Sequence, residues 1–147
     1  MRAKLIHGAG GQRVFALVFS TGEEAVAGLK AFAQRERLGA AQVTAIGAFS
    51  DAVLGYFDWE TRQYRKNPVR EQVEVAACLG DIALGDNDTP QLHVHVVLGR
   101  RDASALAGHL IEAHVRPTLE AVLTESPAHL HKRHDPESGL ALIDPRI

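Results

Sequence analysis

One cysteine, Cys78, is all that the 147 residues contain, which excludes an internal disulfide framework and any thiolate-rich zinc site. It lies in the apolar run VEVAACLG, where a small buried hydrophobe is the expected role rather than a reactive thiol. Positive charge is not in excess either. Sixteen Lys and Arg against 18 Asp and Glu leave a formal charge of −2, so no overall field draws the chain to phosphate. That argues against strong, sequence-independent nucleic-acid binding. No stretch approaches the roughly 18 unbroken apolar residues needed to span a bilayer. The opening MRAKLIHGAGG lacks the apolar run and cleavage site of a signal peptide, and the expected location is cytoplasmic. Walker loops, nucleophile elbows and dinucleotide fingerprints are missing as well. The one glycine-rich stretch, Gly8 to Gly11, precedes a strand-like segment rather than a helix, so it reads as a turn.

What is present suits a single domain over residues 1–147. Apolar residues make up 46% and charged residues 23%, ordinary proportions for a globular chain that can bury roughly two thirds of its unfolded surface. RAKLIH and RVFALVFS read as strands flanking the glycine turn, the second apolar on both faces and therefore central. STGEEAVAGLKAFAQRERLG switches to helical periodicity, with Thr21 and Glu24 as a capping box, Val26, Leu29, Phe32 and Ala33 as the buried stripe, and Gly39 as the stop. AQVTAIGAFSDAVLGYFDW suggests two strands meeting near Ser50-Asp51, TRQYRK continues the meander, and Asn67-Pro68 punctuates it. VEVAACLGDIAL and QLHVHVVLG are further strands around the turn GDNDTP. SALAGHLIEAH reads equally as a short helix or a glycine-turned loop, VRPTLEAVLTE as a strand, SPAHLHKRHDPESG as a polar connection with room for one helical turn, and LALI as a closing strand. The expected fold class is α+β: a largely antiparallel sheet with one main amphipathic helix and short additional helices.

The chemistry concentrates in the histidines. Strand periodicity puts His93 and His95 on one face, with Val94 and Val96 on the other. Two imidazoles on an apolar strand are costly to desolvate without partners, and at this spacing both can reach one ion. A third neutral nitrogen from another element completes a platform with an open fourth position. His109 is the candidate, because Ala107-Gly108 before it lets the backbone approach a neighbouring strand. Zinc suits such a set best, with nickel, copper and iron as alternatives. Glu112 and His114 are candidates to stand behind the ligands or to join them. His129, His131 and His134, beside Lys132 and Arg133, read as solvated loop positions.

The block HVHVVLGRRDASALAGHLIEAHVRPTLEAVLTE resembles the plant-and-prokaryote-conserved (PPC) domain, whose members share a related H-x-H strand, a small-residue turn before histidine and a final Thr-x-Glu strand. The segments VFALVFSTGEEAVAGLKAF, VTAIGAFSDAVLGYFD and EQVEVAACLGDIAL follow the family's order, so the resemblance covers nearly the whole chain. It implies an α+β domain that assembles as a homotrimer, and a metal site in some prokaryotic relatives that carries over onto His93, His95 and His109. In plant relatives the domain follows an Arg-Gly-Arg-Pro hook that binds the DNA minor groove, and it mediates association with other proteins. Prokaryotic members are for that reason often labelled DNA-binding. Here the hook is missing: the nearest string, Gly99-Arg100-Arg101-Asp102, ends in an acid. The stretch Arg70 to Val75 keeps Glu74 of the plant partner-binding signature but lacks its glycine and phenylalanine.

Three functions follow as expectations: a trimeric scaffold or regulatory protein holding a divalent metal, a metal-dependent enzyme of unknown substrate, and a DNA-binding protein without the hook. An enzyme is the less favoured of the first two: Asp86, Asp88 and Glu112 are its candidate bases, but spacing alone places none of them beside the histidines. DNA contacts, if any, fall to Arg62, Arg65, Lys66 and Arg70 on one stretch and Arg100 and Arg101 on another, with only Tyr64 as an interleaved aromatic.

Overall fold

The computed structural model describes residues 1–146. Strands hold 65% of the chain and helix only 8%. The protein is mostly β, so the α+β expectation with several helices is corrected: one helix is present among the described residues. Strands β1 (Arg2–Ala9) and β2 (Gln12–Ser20) form an antiparallel hairpin around the turn at Gly10 and Gly11, both at positive φ. Helix α1 (Ala25–Glu36) follows, then β3 (Ala40–Asp58), β4 (Gln63–Val69), β5 (Val73–Leu84), β6 (Pro90–Gly99), β7 (Ala105–Glu125), β8 (His131–His134) and β9 (Ala141–Asp144).

Side-chain periodicity explains most of these elements. In β2, Phe15, Leu17 and Phe19 are buried, and the strand lies between β1 and β7. Helix α1 buries Val26, Leu29, Phe32 and Ala33 against β6 and β7, and the Phe32 ring meets Phe15 edge-on at 5.1 Å. Its ends differ from expectation. The N-cap is Glu24 itself, whose carboxylate accepts from Val26 N and Ala27 N, and the helix stops at Arg37 in the left-handed region (φ 54°) rather than at Gly39.

Two other departures come from long-range pairing. The segment around Ser50-Asp51 is one continuous strand, β3, whose register shifts between Ala45 and Gly47 and between Phe49 and Asp51 bend it without breaking it. Gly47 (φ 151°) is required at that bend, since a Cβ there would lie 2.2 Å from Thr118 O. The segment from Ala105 to Val115 is neither helix nor loop but the first half of β7, paired with β6 on one side and β3 on the other. Strand β6 pairs with Ala105 to His109 and β3 with His109 to Val115, and this pairing holds the segment extended and overrides local propensity. Pro68 sits inside β4, which among the described residues pairs only with β3, and an edge strand tolerates a residue without an N–H.

The pairings β3–β5, β5–β6, β6–β7 and β7–β3 close on themselves. All are antiparallel. Among the described residues the one parallel contact is a bridge from Leu84 at the end of β5 to His131 of β8, which carries β9 beyond it. The interior is filled by Leu17, Phe49, Ile82, Leu98, Leu119 and Leu123, all fully buried. Cys78 lies among them, and burial pushes its thiol up to about 11, consistent with an inert side chain.

Candidate metal centre

Register places the three histidines. His95 of β6 is the direct partner of His109 of β7, and His93 lies two residues along on the same face. A ring nitrogen from each lies within 4.8 Å of the other two. His93 Nε2 and His95 Nε2 are 3.2 Å apart, a separation that suits a shared proton or a common cation. A tetrahedral zinc with bonds of 2.0–2.1 Å sets its donor nitrogens about 3.3 Å apart. The ring centroids are 5.0, 5.3 and 5.5 Å from one another. On its other side β7 lies close to β3 at Gly108: a Cβ there would lie 3.0 Å from Gly55 O, and Gly55 pairs with His109.

The electrostatics favour neutral rings. Burial, then the neighbouring His93 and His95, push His109 down to about 4. Burial and His93 lower His95 as well. Both therefore offer lone pairs at neutral pH, which metal coordination requires. His109 Nδ1 is buried without a hydrogen-bond partner among the described residues, a cost that coordination or reorientation removes. The donor set fits a divalent metal of the zinc type.

Two residues behind the histidines escaped sequence reasoning. Asp81 of β5 is the register partner of His93, and its Oδ2 lies 3.5 Å from His93 Nδ1, an ion-pair separation a few tenths of an ångström longer than an ordinary hydrogen bond. Lys132 of β8 is buried, with its Nζ 2.7 Å from Asp81 Oδ1. Burial pushes the Asp81 carboxyl up, but His93 and Lys132 together outweigh it and hold it below the ordinary carboxylate range. An acid inside the apolar run of β5 was the available signal for Asp81; Lys132 gave none. Tyr64 of β4 packs its ring on His109 at 4.9 Å and meets Phe57 at 5.4 Å. It walls the histidine site instead of serving the basic stretch.

The other candidates lie elsewhere. His114 Nδ1 is 2.8 Å from Asp51 Oδ1, and Glu112 is exposed opposite Val53; neither joins the three-histidine group. Arg65 is paired with Asp58 at 3.1 Å and Arg100 with Glu71 at 2.7 Å. Arg62 sits at positive φ in the turn before β4, while Lys66, Arg70 and Arg101 are exposed. No helix among the described residues is long and apolar enough to cross a membrane.

Residues 7–127 match the model of the Plants and Prokaryotes Conserved (PCC) domain. Several solved structures share the fold. A putative DNA-binding protein from Bacteroides thetaiotaomicron superposes with a TM-score of 0.85 at 28% identity, covering 96% of each chain. A plant- and prokaryote-conserved protein from Pyrococcus horikoshii gives 0.83 at 28%, over 90% of this chain and 91% of that one. A metal-containing protein from Archaeoglobus fulgidus gives 0.81 at 29%, over 97% and 98%. No curated protein matches the chain.

Proposed function

The chain belongs to the Plants and Prokaryotes Conserved domain family, and from that premise we propose that it is a self-associating scaffold or regulatory protein in which His93, His95 and His109 hold a divalent metal, zinc first. One observation carries the reading: three ring nitrogens from adjacent strands meet within 4.8 Å, two of them on rings held neutral by burial. The metal-containing relative from Archaeoglobus fulgidus supports it. When bound, the metal supplies a rigid cross-link between β6 and β7 and a Lewis-acidic centre. His93 and His109 would be held from behind by Asp81 and Tyr64.

Self-association is supported by the outer sheet face, and the homotrimer is the form the family resemblance implies. His95, Leu79, Thr44 and Val122 are successive partners across β6, β5, β3 and β7. Leu79 (56%), Val97 and Val122 (40% each) and Ile46 (61%) are exposed there. We take this face as the association surface, and it runs into the metal site.

A second reading, a metal-dependent enzyme, is favoured by the partial exposure of His93 and His95, since a metal held by three histidines would have room for water or a substrate as a further ligand. The DNA-binding reading comes from the name of the Bacteroides thetaiotaomicron protein. It is opposed by acidic partners on Arg65 and Arg100.

Elemental analysis of protein purified without a histidine tag tests the metal, with about one equivalent per chain expected. A His93→Ala/His95→Ala variant that keeps the same metal would overturn the assignment. Light scattering tests the trimer, and titration with duplex DNA at two salt concentrations tests the nucleic-acid reading, with no salt-dependent affinity expected.

A further inference from the structure

Lys132 lies outside residues 7–127 that match the family model, in the short C-terminal hairpin of β8 and β9. That hairpin docks on the body through two main-chain bonds near Lys132, Leu84 N to Leu130 O (2.8 Å) and Leu130 N to Gly39 O (3.0 Å), besides the bridge from Leu84 to His131. A lysine is almost never fully buried unless it is paired. Lys132 keeps 5% of its side chain exposed, while its neighbours Arg133 and His134 are exposed. Its ammonium points inward, to Asp81 Oδ1 at 2.7 Å, and the other Asp81 oxygen faces His93 Nδ1 at 3.5 Å. The remaining His93 nitrogen, Nε2, is the one that faces His95.

From this sequence of contacts we infer that Lys132 is a positioning residue for the metal site: it pins Asp81 so that the carboxylate accepts from His93 Nδ1–H and leaves the His93 Nε2 lone pair directed at the metal. The inference rests on the three-histidine reading above. The physical logic is that an imidazole carries its proton on whichever nitrogen has the better acceptor. A carboxylate free to rotate gives His93 no fixed preference, whereas one oxygen anchored on Lys132 fixes where the other points. Partners of this kind, one step behind the ligands, change metal affinity by about 10- to 100-fold when removed. The hairpin outside the matched segment thus contributes to the affinity of a site built by β6 and β7.

The experiment combines metal affinity with the His93 tautomer. Zinc affinity of the full chain is measured by competition with a chromophoric chelator for wild type, Lys132→Met, Asp81→Asn and the double variant. Lys132→Met should weaken zinc about tenfold or more. The double variant should bind no more weakly than Asp81→Asn alone, because Lys132 acts only through Asp81. It also removes both charges of the pair together, so it stays informative if Lys132→Met fails to fold with Asp81 unpaired. Independently of metal, nitrogen chemical shifts of His93 in the metal-free protein should report the Nδ1–H form in wild type and a mixture in Lys132→Met or, if that variant does not fold, in the double variant. Unchanged zinc affinity in folded Lys132→Met, strictly additive losses in the cycle, or an unchanged tautomer would each overturn the inference while leaving the metal reading intact. A wild-type protein that binds no zinc would remove both.

Discussion

His95 and His109 face one another as register partners across the β6–β7 ladder, so the distance between these two candidate ligands is set by strand pairing rather than by side-chain packing. Losing either should abolish the site rather than weaken it. His95→Ala and His109→Ala are each expected to lower zinc affinity by more than the roughly 10- to 100-fold typical of residues behind the ligands, measured by chelator competition. His114→Ala, whose ring is committed to Asp51, should leave zinc affinity unchanged.

Gly80 lets β5 and β6 lie as close as they do. A Cβ there would come within 2.0 Å of His93 O and 2.7 Å of Val94 Cα, both backbone atoms that cannot step aside. Gly80→Ala should therefore destabilise the fold by at least about 1–3 kcal/mol and displace His93. At Gly99 the nearest atom would be 3.7 Å away, and Gly99→Ala should stay within about 0.5 kcal/mol of wild type. Denaturant unfolding compares the two.

The Asp51–His114 pair predicts a pH window. The hydrogen bond from His114, then that from Ser50, lowers the Asp51 carboxyl, and the bond to Asp51 raises His114. A raised histidine stabilises fully below its ordinary 6.5, and that contribution fades as pH rises through the shifted value. A lowered carboxyl stabilises above its ordinary 3.8, and that contribution fades as pH falls through the shifted value. The pair thus contributes most between those two ordinary values. Both side chains are substantially exposed, and screening keeps the effect to about 0.2–1 kcal/mol. The Tm difference between wild type and His114→Ala should be largest near pH 5.5 and shrink by pH 9; a difference that grows with pH would contradict the assignment.

Glu24 does more than cap a helix. Its carboxylate accepts from Val26 N (3.0 Å) and from Ala113 N of β7 (2.9 Å), joining α1 to the sheet. Glu24→Ala should cost roughly 1–3 kcal/mol, from the lost cap and an unpaired strand N–H. Glu24→Gln, which keeps an acceptor oxygen, should recover most of it in thermal unfolding.

What the sequence could reveal followed short-range rules. His93 and His95 share a face because strand alternation admits no other arrangement, and the α1 stripe of Val26, Leu29, Phe32 and Ala33 repeats at helical spacing. Cys78 and the glycine turn were readable for similar reasons. Features set by distant partners were not. Ala105 to Val115 has the small, mixed residues of either a helix or a loop, and only β6 and β3 on its two sides make it a strand. Asp81 supports His93 through a register between two strands that neither strand encodes by itself. Lys132 looks like any lysine among charged neighbours until β8 docks beside Leu84 and closes over it.

All three candidate ligands, with the turn between them, fall within the single hairpin of residues 93 to 109. That turn is tightly specified: Arg100 N bonds Ser104 O at 2.8 Å, Ala103 sits at φ 66°, and Asp102 Oδ1 accepts from Ser104 N. It works as a gauge block, because its length sets which strand residue comes opposite His95. One residue inserted there would move Leu106 to Gly108 and every later residue one step along β7. A one-step slip turns alternate side chains to the other face, so His109 would point away from His93 and His95 with no ligand replaced.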